Sequence, residues 1–432
     1  MRKMVVFVIL GFFISCTSEN PSAILNDVAE DYVKLVLEVG QYDPGFVDAY
    51  YGPEEWKPSP IRDEAKENPP YDVLLEKSSL YINRVKTLKN KDFDESMRLR
   101  QMFLQKQLEA VRGRIEMLKG KAFTFDEETQ RLYDVVTPDY TVEYFESLIN
   151  ELDQLLPGTG SLTDRLTAFK KEFIIPENKL DTVFHTAIQE ARRRTLKYID
   201  LPANEDFVLE FVSDKPWGGY NWYKGNNFSL IQINTDLPIY IDRAIDLASH
   251  EGYPGHHVFA CLLESRMVND KGWVEYSVYP LFSPQSLIAE GTANYGIEMA
   301  FPGDEKIKFE KEVLFPLAGL NPDKVEEYYQ VLDLVSQISY VRNAAAEAYL
   351  DGELSKEETV DWLVKYALRD RKGAEQSVRF IETYRSYVIN YNVGLDMVSK
   401  YMEKNGGESE AERWKTFEYL ISTPQVPSNL VE

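Results

Sequence analysis

Helical hydrophobic periodicity runs along most of this chain and is interrupted at one place, and this pattern constrains the fold more than any other feature. Apolar residues recur at helical spacing over 24–39, 93–118, 145–156, 162–173 and 180–198. Between 204 and 238 the period becomes that of strands, and Lys224-Gly225-Asn226-Asn227 gives a hairpin signal. Helical periodicity then returns and continues to the C-terminus. The sequence predicts a mainly α fold with one small antiparallel sheet.

The chain contains no internal repeat and no obvious linker. We therefore expect residues 24–432 to form a single α-rich domain. Within it, a helical N-terminal lobe would extend to about residue 200, and a second half, 201–432, would hold the sheet and the candidate site. The 432 residues are 44% hydrophobic, which is enough for a large core.

The charge balance excludes one broad class of partner. The chain has 48 Lys and Arg against 71 Asp and Glu, a formal net charge of −23. A protein that binds nucleic acid needs a basic surface to neutralise phosphates. No such surface is expected here.

The N-terminus has the pattern of a bacterial targeting signal. Arg2 and Lys3 precede an apolar stretch, 4–14, which is shorter than the roughly 20 residues that span a bilayer. The sequence Phe13-Ile14-Ser15-Cys16 resembles a lipobox, so we expect a signal peptide over 1–15, lipidation of Cys16 and a tether over 16–23. The domain would then be anchored in the bacterial cell envelope by lipid. An ordinary signal peptide cut elsewhere is the alternative.

The predicted lipidation determines whether the two cysteines of the chain can form a disulfide. If Cys16 carries lipid, Cys261 has no partner within the chain. No intrachain disulfide is then expected.

Three of the four histidines fall within eight residues, in Ser249-His250-Glu251-Gly252-Tyr253-Pro254-Gly255-His256-His257. A His-Glu pair on a helix with another His beyond it is typical of a zinc hydrolase. Neutral imidazoles bind the ion, and the adjacent carboxylate takes a proton from the attacking water. The pattern makes Glu251 the candidate general base. Core histidines held by hydrogen bonds are the alternative.

The spacing departs from that of the usual motif. On a regular helix the second ligand would stand at Pro254, whereas His256 lies about 120° around the helix from His250 and His257 lies about 10 Å further along it. Pro254 breaks helical hydrogen bonding and Gly255 gives the backbone freedom to bulge. A distorted helix could return His256 to the ion.

The motif, together with Glu290-Gly291-Thr292-Ala293-Asn294-Tyr295, closely resembles bacterial proteins of the domain of unknown function 885 family. The segments 42–53 and 391–394 resemble that family too. Its members are grouped with the gluzincin metallopeptidases, which take a third zinc ligand from a Glu on a later helix. The resemblance implies a helical gluzincin-like fold, with the small sheet next to the zinc-binding helix.

The resemblance also implies roles for single residues. Related enzymes continue their ligand His as Gly-His-x-aliphatic, which makes His256 the second ligand beside His250, with Glu290 the third. His257 stays open as an alternative ligand or a substrate contact. Asn294 stands where gluzincins often have an Asp that orients a zinc His, and Asp246 is another candidate for that role.

Two further expectations concern the substrate. Gluzincins commonly use a Tyr or His on a later helix to stabilise the oxyanion, and Tyr391 is the first choice among the C-terminal tyrosines. The strand nearest the zinc helix, Phe228 to Asn234 by position, would offer its edge to an extended peptide, unless it only covers the core.

The leading hypothesis is a zinc-dependent peptidase. A zinc hydrolase of a non-peptide amide is the first alternative. A catalytically silent lipoprotein that binds peptides is the second, and the intact Glu251 argues against it.

Overall fold

The structure is a computed structural model, and it describes residues 20–61, 67–88, 93–215 and 217–431. Helices dominate the described chain, as predicted. In order they are α1 (Pro21–Gly40), α2 (Tyr71–Lys86), α3 (Glu95–Leu118), α4 (Phe125–Tyr133), α5 (Val142–Leu155), α6 (Leu162–Lys170), α7 (Leu180–Thr195), α8 (Asp242–Leu247), α9 (His256–Leu262), α10 (Pro284–Ala300), α11 (Asp304–Phe309), α12 (Phe315–Ala318), α13 (Val325–Ile338), α14 (Val341–Leu350), α15 (Lys356–Tyr366), α16 (Arg371–Tyr384), α17 (Val393–Asn405), α18 (Glu410–Ser422) and α19 (Pro427–Leu430).

The first helix starts earlier than the predicted tether allows. The Asn20 side chain accepts a hydrogen bond from the amide of Ser22, and Pro21 follows this N-cap directly. An Asn cap with proline in the first turn is a favourable helix start. Residues 21–23 therefore belong to α1 rather than to the tether. The predicted signal peptide and Cys16 lie outside the described residues.

The strand-like region forms a three-stranded sheet that is mixed, not antiparallel as expected. Its strands are β2 (Asp206–Val212), β3 (Gly219–Tyr223) and β4 (Phe228–Asn234), in the order β2-β4-β3. The predicted hairpin joins β3 to β4 through a turn in which Gly225, Asn226 and Asn227 have positive φ. β2 pairs in parallel with the far side of β4. Periodicity identified the strands but carries no information on the direction of that pairing.

A second, two-stranded sheet lies in a segment without a strand prediction. β1 (Val47–Tyr50) pairs antiparallel with β5 (Val278–Pro280). This pairing brings the 42–53 segment against the start of α10, the helix that carries Glu290.

Two groups of buried apolar side chains form the interior. The larger core takes residues from α1, α3 and α7 as well as from α10, α17 and α18. The smaller core joins α5 and α6 to α13, α14, α15 and α16. The packing therefore does not divide at residue 200, because both cores combine helices from before and after that position.

A buried ion pair links separate parts of the larger core. Arg100 of α3 donates to both carboxylate oxygens of Glu275, at 2.6 and 3.0 Å, and to Asn26 of α1 at 2.7 Å. Two-point recognition of a carboxylate by arginine adds geometric specificity to the contact. α1 and α3 are fixed in this way to the segment that precedes β5.

Candidate metal centre

The candidate site is built around a break in the helix that carries His250. α8 runs into one π-helical turn, Ala248–Gly252, and α9 starts afresh at His256. The amide of Gly255 donates to the carbonyl of Ser249 over 2.9 Å, which folds the chain back. A Cβ on Gly255 would lie 1.9 Å from the carbonyl oxygen of His250, so a glycine is required there. The predicted distortion is present and returns His256 to His250.

Three side chains from three helical segments meet beside this break. His250 Nε2 and His256 Nε2 are 3.1 Å apart. Glu290 of α10 places its carboxylate oxygens 3.3 Å from His250 Nε2 and 3.7 Å from His256 Nε2. Ligand atoms that share one zinc ion, each about 2 Å from it, lie within about 4 Å of one another. The three predicted ligands are therefore grouped at a spacing that suits a single ion.

The donor set also suits zinc chemically. Glu290 Oε2 is buried and accepts no hydrogen bond, although buried acceptors are normally satisfied. A cation at the meeting point would satisfy it. Two imidazole nitrogens and one carboxylate oxygen are a set typical of catalytic zinc, with a further position open.

Asn294 orients His250, as the sequence suggested. Its side-chain amide donates to the carbonyl of Tyr391 at 2.8 Å, which turns its Oδ1 toward His250 Nδ1 at 3.0 Å. Because Oδ1 can only accept, Nδ1 must carry the proton. The lone pair of His250 Nε2 is then directed at the meeting point of the three side chains.

Asp246 does not take that role, and the prediction for it is wrong. Its carboxylate oxygens lie 3.1 Å from Arg243 and 3.3 Å from Lys306. These two cations engage the side chain, and Asn294 already occupies His250 Nδ1.

The pKa values of the two histidines are shifted in opposite directions. Burial opposes protonation of His250, but the Glu290 carboxylate 3.3 Å away and the charge of Glu251 raise its pKa to about 9. Burial lowers the pKa of His256 to about 4. The additional proton of His250 lies on Nε2, facing Glu290, and a bound metal ion, which requires a neutral imidazole, would displace it.

Glu251, the predicted base, is buried beside the same group. It lines the cavity described below, and its backbone carbonyl accepts a 2.7 Å bond from the Asn221 side chain of β3. A Cβ on Gly219 would come 3.2 Å from Glu251 Oε1, so β3 packs closely on this carboxylate. Burial, with the nearby charges of Glu290 and Asp48, raises the pKa of Glu251 to about 7.

Tyr387 is a site residue that the sequence did not single out. Its hydroxyl donates to Glu290 Oε1 over 2.8 Å. Its own segment is fixed by the buried Glu128 of α4, which accepts bonds from the side chain of Arg385 and from the amide and hydroxyl of Ser386. The only available signal was the tyrosine-rich C-terminal stretch.

Tyr391, the predicted oxyanion donor, lines the same cavity. Its ring centroid lies 5.8 Å from that of Tyr387. Burial raises the pKa of the Tyr391 phenol well above its ordinary value, so the hydroxyl keeps its proton. Its catalytic role stays a prediction.

His257 is not a site residue, and the prediction that it contacts substrate is wrong. Its side chain is fully buried, with Nδ1 2.8 Å from Ser229 Oγ and Nε2 3.2 Å from Glu205 Oε1. It stands one residue after His256, so the helix turns it toward the sheet instead of the cavity.

A cavity of about 1030 Å³ opens over the three predicted ligands. Its lining includes β3, the α13–α14 junction and α16. β4 was expected to offer a free edge to a peptide, but it is the central strand and both its edges are paired. β3 has one unpaired edge within its sheet and lines the cavity along its whole length, 219–223.

Among the described residues, no helix has the length and apolar character needed to cross a membrane.

Comparisons with known proteins give likenesses of structure only. No family model matches the chain, and no curated protein matches it in sequence. It is similar to a candidate lipoprotein from Colwellia psychrerythraea, with a TM-score of 0.51 and 13% identity over 84% of this chain and 68% of that one. For a candidate lipoprotein of unknown function from Shewanella oneidensis the TM-score is 0.46 and the identity 11%, over 84% and 72% of the two chains. The first likeness shows a shared fold.

Proposed function

We propose that this protein is a zinc-dependent hydrolase that cleaves peptide bonds. The observation that carries the proposal is the convergence of His250, His256 and Glu290 to within 3.1–3.7 Å, with Glu251 beside them in one cavity. The motif resemblance to the domain of unknown function 885 family, and through it to gluzincins, points to the same chemistry.

In this proposal His250, His256 and Glu290 hold the zinc ion. When bound, the ion supplies Lewis acidity, which polarises a carbonyl and lowers the pKa of a water molecule. Glu251 takes the proton from the attacking water and passes it to the leaving amine. Tyr391 donates a hydrogen bond to the oxygen on which charge develops.

The cavity wall favours an extended substrate. β3 lies next to Glu251 and has a strand edge not used by β4. A peptide added along such an edge gains main-chain hydrogen bonds at regular intervals. A volume of about 1030 Å³ is at the upper end of the range for small-molecule sites, and it accommodates several residues.

We further propose that the domain is held at the bacterial envelope by lipid on Cys16. The lipobox-like sequence supports this, and so does the description of the structurally similar Colwellia psychrerythraea protein as a candidate lipoprotein.

Metal analysis and peptide digestion test the proposal together. The purified mature domain should contain close to one zinc per chain and should cleave members of a peptide library, and a chelator should abolish the cleavage. His250→Ala should lose both metal and activity. Glu251→Gln should keep the metal and lose turnover by at least about a hundredfold, the scale of general-base catalysis.

Near-normal hydrolysis by Glu251→Gln would contradict the assigned mechanism. Cleavage of non-peptide amides alone would indicate the first alternative, a zinc hydrolase of a non-peptide amide. A zinc-loaded protein that binds peptides without cleaving anything would indicate the silent binding protein.

A further inference from the structure

Two arginines stand without ion pairs in the cavity of a strongly acidic protein. Arg342, at the start of α14, and Arg369, between α15 and α16, both line the cavity. Asp and Glu outnumber Lys and Arg by 71 to 48 in this chain. Yet within the described ranges neither guanidinium lies within 4 Å of a carboxylate, whereas Arg243, which lines the same cavity, pairs with Asp246 at 3.1 Å.

Arg342 is the more enclosed of the two. Its Nε is buried and has no hydrogen-bond partner, which is unusual because a buried guanidinium is normally paired. Burial lowers the pKa of Arg342, and the Tyr391 phenol is the ionisable group that lies near enough to interact with it. Arg342 therefore lies on the side of the cavity that holds the predicted oxyanion donor.

Arg369 is close enough to Arg342 for their charges to oppose each other. Burial and then the charge of Arg342 lower the pKa of Arg369 to about 10. Guanidinium groups keep their proton at neutral pH in proteins, so both side chains are cationic. Arg369 keeps contact with solvent. Two like charges held together at one wall, one of them with a buried unsatisfied donor, form a receptor for an anion.

We propose that Arg342 and Arg369 bind the carboxylate of a peptide substrate. The inference rests on the proposed function and deepens it, because it names the feature that the enzyme selects. The planar guanidinium donates two parallel hydrogen bonds to a carboxylate, and enclosure strengthens such bonds. The carboxylate comes from the free C-terminus or from an Asp or Glu side chain.

Paired peptide libraries test this. N-acetylated hexapeptides would be prepared with a free or an amidated C-terminus, and each set with Glu or with Gln at the variable positions. Hydrolysis would be followed by mass spectrometry. Binding to the wild-type protein in the presence of chelator would be measured on the same libraries, since that reading does not require turnover.

We expect peptides with the recognised carboxylate to be preferred by at least about tenfold in kcat/KM, the scale of a charged hydrogen bond. Arg342→Gln should remove that preference and leave zinc content unchanged. Arg369→Gln, on a more accessible side chain, gives a second test if Arg342→Gln fails to fold. Arg98→Gln, an exposed arginine of α3, is the control and should change nothing.

The outcomes separate the two proposals. A preference for the free terminus or for Glu identifies the source of the carboxylate. Cleavage with no preference for either, or a preference that survives both arginine variants, would overturn the carboxylate site and leave the peptidase intact. Carboxylate-selective binding without any hydrolysis would overturn the peptidase and leave the carboxylate site.

Discussion

The adjacent histidines His256 and His257 belong to two different groups of interacting side chains. His256 faces the cavity, while His257 joins a half-buried group with Glu205, Arg192 and Tyr253. Burial opposes ionisation of Glu205, but its bonds from His257, Arg192 and Tyr253 prevail and lower its pKa to about 2. Glu205 is therefore an anion that the fold requires, although it takes no part in the proposed chemistry.

This predicts a pH-dependent contribution to stability. Replacing Glu205 by Gln leaves Arg192 and His257 without their anion. Because the Arg192 side chain is 42% exposed to solvent, the free energy of unfolding should fall by only about 1–2 kcal/mol at neutral pH. Because the folded pKa is depressed from 4.5, the contribution is complete above about pH 4.5 and is lost as the pH falls toward 2.

Urea unfolding of wild type and variant across this range measures the effect. The exposed Glu403→Gln is the matched control and should be neutral. A difference between wild type and Glu205→Gln that stayed constant from neutral pH to about pH 3 would show that the carboxylate is not the stabilising group.

At the scale of elements, the helix break between the two ligand histidines is the part on which the site depends. Gly255→Ala would place a Cβ 1.9 Å from the His250 carbonyl, so the turn must open and carry His256 away. We expect this variant to lose zinc and activity while its far-UV circular dichroism stays close to that of wild type.

A second glycine provides the comparison. A Cβ at Gly113 within α3 would make only an ordinary contact, 3.4 Å from Arg131 Cβ. Gly113→Ala should keep its zinc and be neutral or more stable by up to about 1 kcal/mol, because alanine favours the helix. Equal zinc binding by both variants would show that the turn does not set the position of His256.

Local signals in the sequence predicted α1, α3, α5, α6 and α7, the hairpin and the break, since each depends on residues close in the chain. Helical spacing located α1 and α3, and Pro254 with Gly255 predicted where the helix would distort. These features need no knowledge of the tertiary fold. The contact of Asn294 with His250 was suggested in another way, by the resemblance to gluzincins, in which an Asp four residues after the ligand Glu often orients a zinc His.

What the sequence could not predict depends on contacts between distant segments. The parallel pairing of β2 with β4 and the bond from Tyr387 to Glu290 are two such contacts. The engagement of Asp246 by Lys306 is a third. His257 was misassigned for the same reason, because its partners Ser229 and Glu205 come from the sheet region.

At the scale of the whole molecule, the residues of the candidate site are attached to two different hydrophobic cores. The three predicted ligands are attached to helices of the larger core, whereas Arg342 and Arg369 lie among the helices that form the smaller one. The metal and the proposed carboxylate site should therefore respond separately to a loss of packing.

Leu152→Ala tests this separation. Leu152 of α5 is fully buried in the smaller core, and its truncation should lower the free energy of unfolding by about 2–5 kcal/mol. KM should rise because the arginine wall loosens, while zinc content in the native protein stays unchanged. Loss of zinc in parallel with substrate affinity would mean that the cores behave as one unit. Urea titration, metal analysis and kinetics supply the three readings.

The smaller core joins helices that are far apart in the sequence, and this affects when it can form during synthesis. α5 ends at Leu155 and α13 begins at Val325, so α5 is synthesised roughly 170 residues before the helix that covers it. Ribosomes add about 5–20 residues per second, so the apolar face of α5 stays uncovered for on the order of ten to thirty seconds. Contacts of such long range are also slow to form. The newly made chain therefore passes through a period in which Leu148 and Leu152 are accessible to chaperones and to aggregation. The wall that carries the proposed carboxylate site, Arg342 and Arg369, is synthesised only after this period has begun.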